Sequence, residues 1–289
     1  MTPQQPATQA KPLVLCADDY AQSAGISQAI QELAHAGRLS ATSAMVLSPR
    51  WPEDAAALQT ERGRIDVGLH LDWTSPFARA AGHGMGLGAA MLRALAGGLK
   101  RRQARDAIER QLDLFEAHWH AAPDHVDGHQ HVQQFAGIRE PLVELLAQRY
   151  GARGPWLRLS RVPAGQTNLK SRVIAAMGAG SLETIAANAG VACAGALSGV
   201  YDFDGDQARY ARRMARWLGL SPAACVLMCH PGRPAPDAGA PPDPIAAARE
   251  WEWEHLRGSH FADQLAASHV ALVRGSHLFC STSRLAHRT

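Results

Sequence analysis

Leu13-Val14-Leu15-Cys16-Ala17-Asp18-Asp19-Tyr20 sets an unbroken apolar run against two adjacent carboxylates. A short continuous apolar run, with no polar residues alternating through it, is the pattern of a strand buried on both faces in a parallel sheet. The next segment reads as a helix. Ile26, Ile30, Leu33 and Ala34 fall on one stripe, Ser23 is placed to cap its start and Gly37 to end it.

The alternation then repeats. Residues 41–47 and 65–71 read as strands around a short helix at 52–58. Ile108, Leu112, Phe115 and Trp119 mark a helix over 103–120. Strands are predicted at 125–132, 156–159, 225–229 and 270–273, with helices at 139–149, 170–177, 206–218, 244–256 and 259–268. Strands separated by helices make βαβ units and a parallel sheet. About seven or eight mostly parallel strands in one chain favour an α/β fold closed, or nearly closed, into a (β/α) barrel over an open doubly wound sheet. Residues 1–12 read as a disordered N-terminal tail and 13–289 as a single catalytic domain. Two irregular stretches, 74–98 with many glycines and 231–244 with six prolines, read as loops beside the site.

Composition narrows the function. An apolar share of 46% and a charged share of 19% suit a globular chain with a sizeable core. The net charge of +3 is small and the arginines are scattered, so nucleic acid is not an expected partner. The densest basic run, Lys100-Arg101-Arg102 with Arg105, reads as a solvated helix face. Five cysteines, three of them in apolar runs, argue against a disulfide framework. Met1 to Pro12 has no apolar core of a secretory signal, and no run approaches about 18 apolar residues, so a cytoplasmic location and no transmembrane segment are expected.

In a barrel the chemical groups gather at the carboxyl ends of the strands. Four predicted strands end in metal-binding residue types: Asp18-Asp19, His70, Asp127-Gly128-His129-Gln130-His131, and His230. A single histidine after an apolar run is usually structural. Two acids and three histidine sites arriving at one pole instead fit a one-Asp, two-His site with coordination positions open to water and substrate. A divalent cation there would polarise a carbonyl and lower the pKa of water to about 7 in the best zinc cases. Neighbouring acids on a strand point to opposite faces unless the strand has turned, so Asp18 and Asp19 are expected to divide metal binding and proton transfer between them. Asp127, His129 and His131 would share a face by the period of two, which lets Asp127 or His131 orient a ligand.

These residues carry a family resemblance. Ala17-Asp18-Asp19-Tyr20, Gly68-Leu69-His70-Leu71, His125-Val126-Asp127-Gly128-His129-Gln130-His131 and Met228-Cys229-His230-Pro231-Gly232 resemble the motifs of YdjC-type carbohydrate deacetylases, nearly end to end. That family includes chitooligosaccharide deacetylases and hopanoid-biosynthesis-associated deacetylases. The resemblance implies a distorted (β/α) barrel and one divalent metal ion, Mg2+ or Zn2+, held by Asp19, His70 and His129. It implies Asp18 as general base, His230 as the acid that protonates the leaving amine, and Arg158 as an arginine near the substrate. The Asp-Gly-His-Gln-His form and Gly199-Val200-Tyr201-Asp202-Phe203 lean towards the hopanoid-associated branch. Tyr20-Ala21 stands where the family often has Phe-Gly, and Gln133 where it often has a third histidine.

The implied reaction is hydrolysis of the N-acetyl group of an amino sugar, in an oligosaccharide or a glycolipid, by an enzyme that could form a homodimer. Trp73 and Trp156 are candidate sugar platforms, although core packing accounts for them equally well. Three rivals stand beside this reading. An amidohydrolase would place its His-x-His on the first strand, and here the acids come first; a phosphoesterase is separable only by substrate. A non-catalytic sugar-binding protein would not need all five chemical groups. A serine hydrolase lacks its Gly-x-Ser-x-Gly elbow, since Ser198 has the wrong spacing.

Overall fold

The computed structural model describes residues 10–234 and 243–280. Its sheet is wholly parallel and is built from β1 (Lys11–Tyr20), β2 (Ala41–Ala44), β3 (Asp66–Leu71), β4 (His125–Gly128), β5 (Trp156–Arg158), β6 (Cys193–Ala194), β7 (Leu197–Ser198), β8 (Cys225–Cys229) and β9 (Val270–Leu272). The strand order is β6-β5-β4-β3-β2-β1-β8-β7, with β9 added along the start of β1. Eight parallel strands thus curl into a nearly closed barrel, and the seam lies between β6 and β7, which do not pair. The expected barrel is the observed one.

β1 is the axis of the fold because its apolar run leaves nothing for water to solvate. Leu13 to Ala17 are buried, and both edges are paired, one to β8 and the other to β2 and β9. The tail read as 1–12 ends sooner, since Lys11 and Pro12 already belong to β1; residues 1–9 lie outside the described part.

Three expectations change. The stretch 74–98 is not an irregular loop: it holds two short helices, Pro76–Ala80 and Leu87–Leu95. The first starts because the Ser75 hydroxyl accepts from the Phe77 and Ala78 amides and Pro76 follows at the first turn. The strand expected at 125–132 stops at Gly128 and gives way to a 3-10 turn, His129–Gln134, with Gln130 and His131 both at positive φ. Residues 193–198, which no periodicity marked, supply the two-residue strands β6 and β7 on either side of the seam. Most of the proline-rich stretch 231–244 lies outside the described residues.

After β9 the chain crosses the base of the barrel through the helix Gly275–Phe279. Gly275 sits flat on the Trp156 ring, where a Cβ would approach to 2.5 Å, and the Asp66 carboxylate accepts from the Ser276 amide and the Arg274 guanidinium. No helix among the described residues is long and apolar enough to cross a membrane.

Candidate metal centre

The end of β1 does not stay extended. Pairing with β2 breaks register between Ala17 and Tyr20, and Asp19 takes φ 68, in the left-handed region. This bulge cancels the alternation of the strand and turns both carboxylates to the same pole. Ala21 is left-handed as well, with φ 71.

Asp19 Oδ1 lies 3.0 Å from His129 Nδ1 and 3.3 Å from His70 Nε2. The three donor atoms are mutually within 4.8 Å, and Asp19 and His70 are buried. His70 donates from Nδ1 to Asp127 Oδ1 at 2.6 Å, which leaves Nε2 directed at Asp19. Burial opposes a charged His70, yet Asp127 and Asp18 outweigh it and raise this imidazole to about 10. One carboxylate oxygen and two imidazole nitrogens on one side, with a second carboxylate steering one imidazole, fit a divalent cation with open positions. Two further groupings, Asp18 with His70 and Asp127, and Cys16 with His125 and Asp127, fit less well, because Arg158 and Ser43 already engage their carboxylates.

Asp18 stands beside this triad, gripped at 2.7 Å through each oxygen by Nη1 and Nη2 of Arg158. Burial raises the Asp18 carboxyl, but Arg158 and His70 outweigh that and hold it below its ordinary value. Arg158 also reaches Asp127 Oδ2 at 3.0 Å and is itself fully buried, so its contacts are with the two aspartates. Across from Asp18, His230 Nε2 is 3.9 Å from Asp18 Oδ2, and the Phe203 ring meets the imidazole edge-on at 5.1 Å. Burial lowers His230 to about 4, so its ring is neutral near pH 7.

His131 is not on a strand face with His129; it lies on the turn and shares a 2.9 Å hydrogen bond between Nδ1 and Ser160 Oγ, with burial and Arg158 lowering it to about 3. Gln133 donates to the Arg158 carbonyl and to Ser160, tying the turn to the end of β5. Trp73 is buried, with His83 against its ring at 5.2 Å. Trp156 is no sugar platform: it is fully buried at the base, stacked at 4.5 Å on His125.

Sequence reasoning missed three residues. Arg249, on the helix Ala246–Arg257, donates to Asp19 Oδ2 at 2.7 Å, so that Asp19 turns one oxygen to the histidines and the other to a guanidinium. Gly232 packs closely against this arginine: a Cβ there would come within 3.1 Å of the Arg249 side chain. One turn on, Glu252 accepts from the His230 amide and from the Tyr201 hydroxyl; burial pushes its carboxyl up to about 7. Ser43 donates to Asp127 Oδ2. The signal for the first two was present, because Ala248, Arg249, Glu252, His255 and Leu256 form a helical stripe in which charged residues hold buried positions.

A family described as YdjC-like protein matches residues 12–267. A human carbohydrate deacetylase is 30% identical over 271 residues, covering 84% of this chain and 82% of that protein. A chitooligosaccharide deacetylase of Serratia marcescens is 30% identical over 235 residues, covering 76% and 81%. In structure, an Enterococcus faecalis protein described as a putative cellobiose-phosphate cleavage protein superposes with a TM-score of 0.69 at 16% identity, over 93% of this chain and 99% of the other, which establishes the shared fold. With a matched span that runs from β1 to the helix before β9, the chain belongs to the YdjC-like family.

Proposed function

We propose that this protein is a carbohydrate N-deacetylase that hydrolyses the acetamide of an N-acetylated amino sugar to the free amine and acetate. The observation that carries the reading is the opposition of Asp18 and His230 across 3.9 Å, directly beside the Asp19, His70 and His129 donors. Two relatives named as deacetylases of carbohydrate and of chitooligosaccharide support the substrate class.

Asp19, His70 and His129 would hold one divalent cation; the two imidazoles favour a transition metal such as Zn2+ over Mg2+. When bound, the cation supplies a Lewis acid for the amide carbonyl and lowers the pKa of water. Asp18, kept ionised and aligned by Arg158, takes the proton from the attacking water. His230 delivers a proton to the departing nitrogen, and its neutral resting state suits a group that receives this proton from the Asp18 side during the reaction. Asp127 fixes the tautomer of His70. Arg249 donates to the second oxygen of Asp19, which would leave the first oxygen for the cation.

Acetate release from N-acetylglucosamine oligosaccharides and glycolipids, measured after chelation and after addition of Zn2+ or Mg2+ in turn, tests the reading. Release that depends on added metal is expected. Phosphate ester hydrolysis without acetate release would move the protein to the phosphoesterases, and tight sugar binding without either product would make it a binding protein.

A further inference from the structure

Two helices inserted at the carboxyl ends of strands carry a concentration of exposed large hydrophobic residues. Of the six exposed large hydrophobic residues among those described, Leu87, Leu92 and Leu95 lie on Leu87–Leu95, after β3, and Leu169 and Val173 lie on Leu169–Ala176, after β5. Leu92, Leu95 and Leu169 are 68%, 73% and 77% exposed, and they recur on two helices instead of being scattered singly. The second helix touches the end of the turn that carries His129 and His131, and the chain leaving the first helix packs just beyond that turn. Leu99, just past the first helix, packs on Gly137, while the Ile174 carbonyl in the second accepts from Gln134. Both helices therefore belong to βα connections, on the strand-end side of the barrel where the metal centre lies.

Charge follows the same outline. The segments 73–105 and 159–182, which contain these helices, hold nine Lys or Arg and no Asp or Glu, although the whole chain has 29 basic and 26 acidic residues. Some of this charge is answered by neighbours: Arg101 pairs with Glu144, Arg161 with Glu183 and Lys170 with Asp202. Arg93, Lys100, Arg102 and Arg172 make no ion pair among the described residues. Exposed leucines bordered by unanswered cations are the composition of a surface that lies on an anionic bilayer, the leucines entering the acyl boundary and the cations meeting headgroup phosphates. A neutral or cationic protein partner would leave that charge unanswered.

We infer that this pole is a membrane-surface docking face, on which Leu87–Leu95 and Leu169–Ala176 rest against anionic phospholipid and bring the metal centre to the headgroup layer. The face is built from helices outside the catalytic groups and stands whatever reaction the centre performs.

Co-sedimentation of the full chain with vesicles tests it without any sugar substrate, so its result is separate from that of the acetate assay. The wild-type chain is expected to sediment with vesicles of phosphatidylglycerol and phosphatidylcholine and to stay in solution with phosphatidylcholine alone. Binding should fall steeply when salt shortens the Debye length from about 10 Å to about 3 Å. The double variant Leu92→Gln/Leu95→Gln should lose at least about tenfold in vesicle partition with an unchanged melting temperature, because two leucines are withdrawn from the acyl boundary. Leu169→Gln/Val173→Gln provides the same test on the second helix if the first variant does not fold. No sedimentation of the wild type with either vesicle would overturn the inference, as would variants that bind as well as wild type. A solution dimer that the leucine variants dissociate would overturn it too, by assigning the face to a second copy of this chain.

Discussion

Arg158 and Asp18 form a fork closed to solvent, Nη1 on Oδ1 and Nη2 on Oδ2, both at 2.7 Å. Two parallel charge-assisted bonds fix the plane of the carboxylate as well as its charge. Lysine carries the same charge but presents a point instead of a fork. Arg158→Lys is therefore expected to lower kcat by about 100-fold or more, with KM changed little. Arg158→Met, which leaves a buried carboxylate unpaired, should also lower stability by about 3–5 kcal/mol. Steady-state acetate release and thermal melts check the two outcomes; a lysine variant with wild-type kcat would show that the orientation of Asp18 is irrelevant.

Asp18 and His129 should separate metal binding from turnover. Asp18→Asn keeps all three donors in place, so metal is retained at wild-type stoichiometry while acetate release falls by about 1,000-fold. His129→Ala removes a donor, so metal itself is lost. Elemental analysis of the purified variants, set beside their activity, distinguishes these results. An Asp18→Asn enzyme that turns over normally would refute the assignment of the base.

Ala21 is left-handed without being glycine, a conformation that a side chain adopts at a cost of about 1–2 kcal/mol. Ala21→Gly removes the Cβ conflict but adds freedom to the unfolded chain. The net expectation is stabilisation by about 0.5–1 kcal/mol, read as a higher melting temperature with catalysis unchanged. A lower melting temperature would mean that the buried methyl group contributes more by packing than its backbone conformation costs.

Glu252 predicts a pH dependence of folding. Its folded carboxyl is raised to about 7 from an ordinary value of 4.5, so the folded state holds the proton more tightly than the unfolded state. The stability this group lends is thus fullest below about 4.5 and declines as pH rises towards about 7. Glu252→Gln cannot ionise, and its amide can still accept from the His230 amide and donate to Tyr201. Denaturant titrations between pH 5 and 7 should show a shallower loss of stability with rising pH in this variant than in wild type. Equal slopes would mean that Glu252 ionises alike in both states.

The barrel and the main chemical groups were legible because both depend on local signals. Apolar runs end in Asp18-Asp19, His70 and His230, and a parallel barrel brings strand ends together whatever the sequence distance between them. His131 was misread because Asp127-Gly128-His129-Gln130-His131 alternates like a strand, whereas Gln133 and the bend at Gln130 curl it into a turn. Arg249 was overlooked because its partner Asp19 is 230 residues away, although its place on the Ala248–Leu256 stripe marked it for burial. Trp156 showed the converse problem. Its strand was recognised, but the closing of the base by Gly275 cannot be read from any stretch around it.

The left-handed backbone at Asp19 bears on how this centre can change over evolutionary time. Short polar side chains such as Asp and Asn take that conformation more readily than most, and of those two only Asp brings a full negative charge. Glutamate there would keep the charge but lose the short side chain that favours this backbone. Under the proposed metal assignment, variation in metal preference is then more open to the two histidines than to this carboxylate.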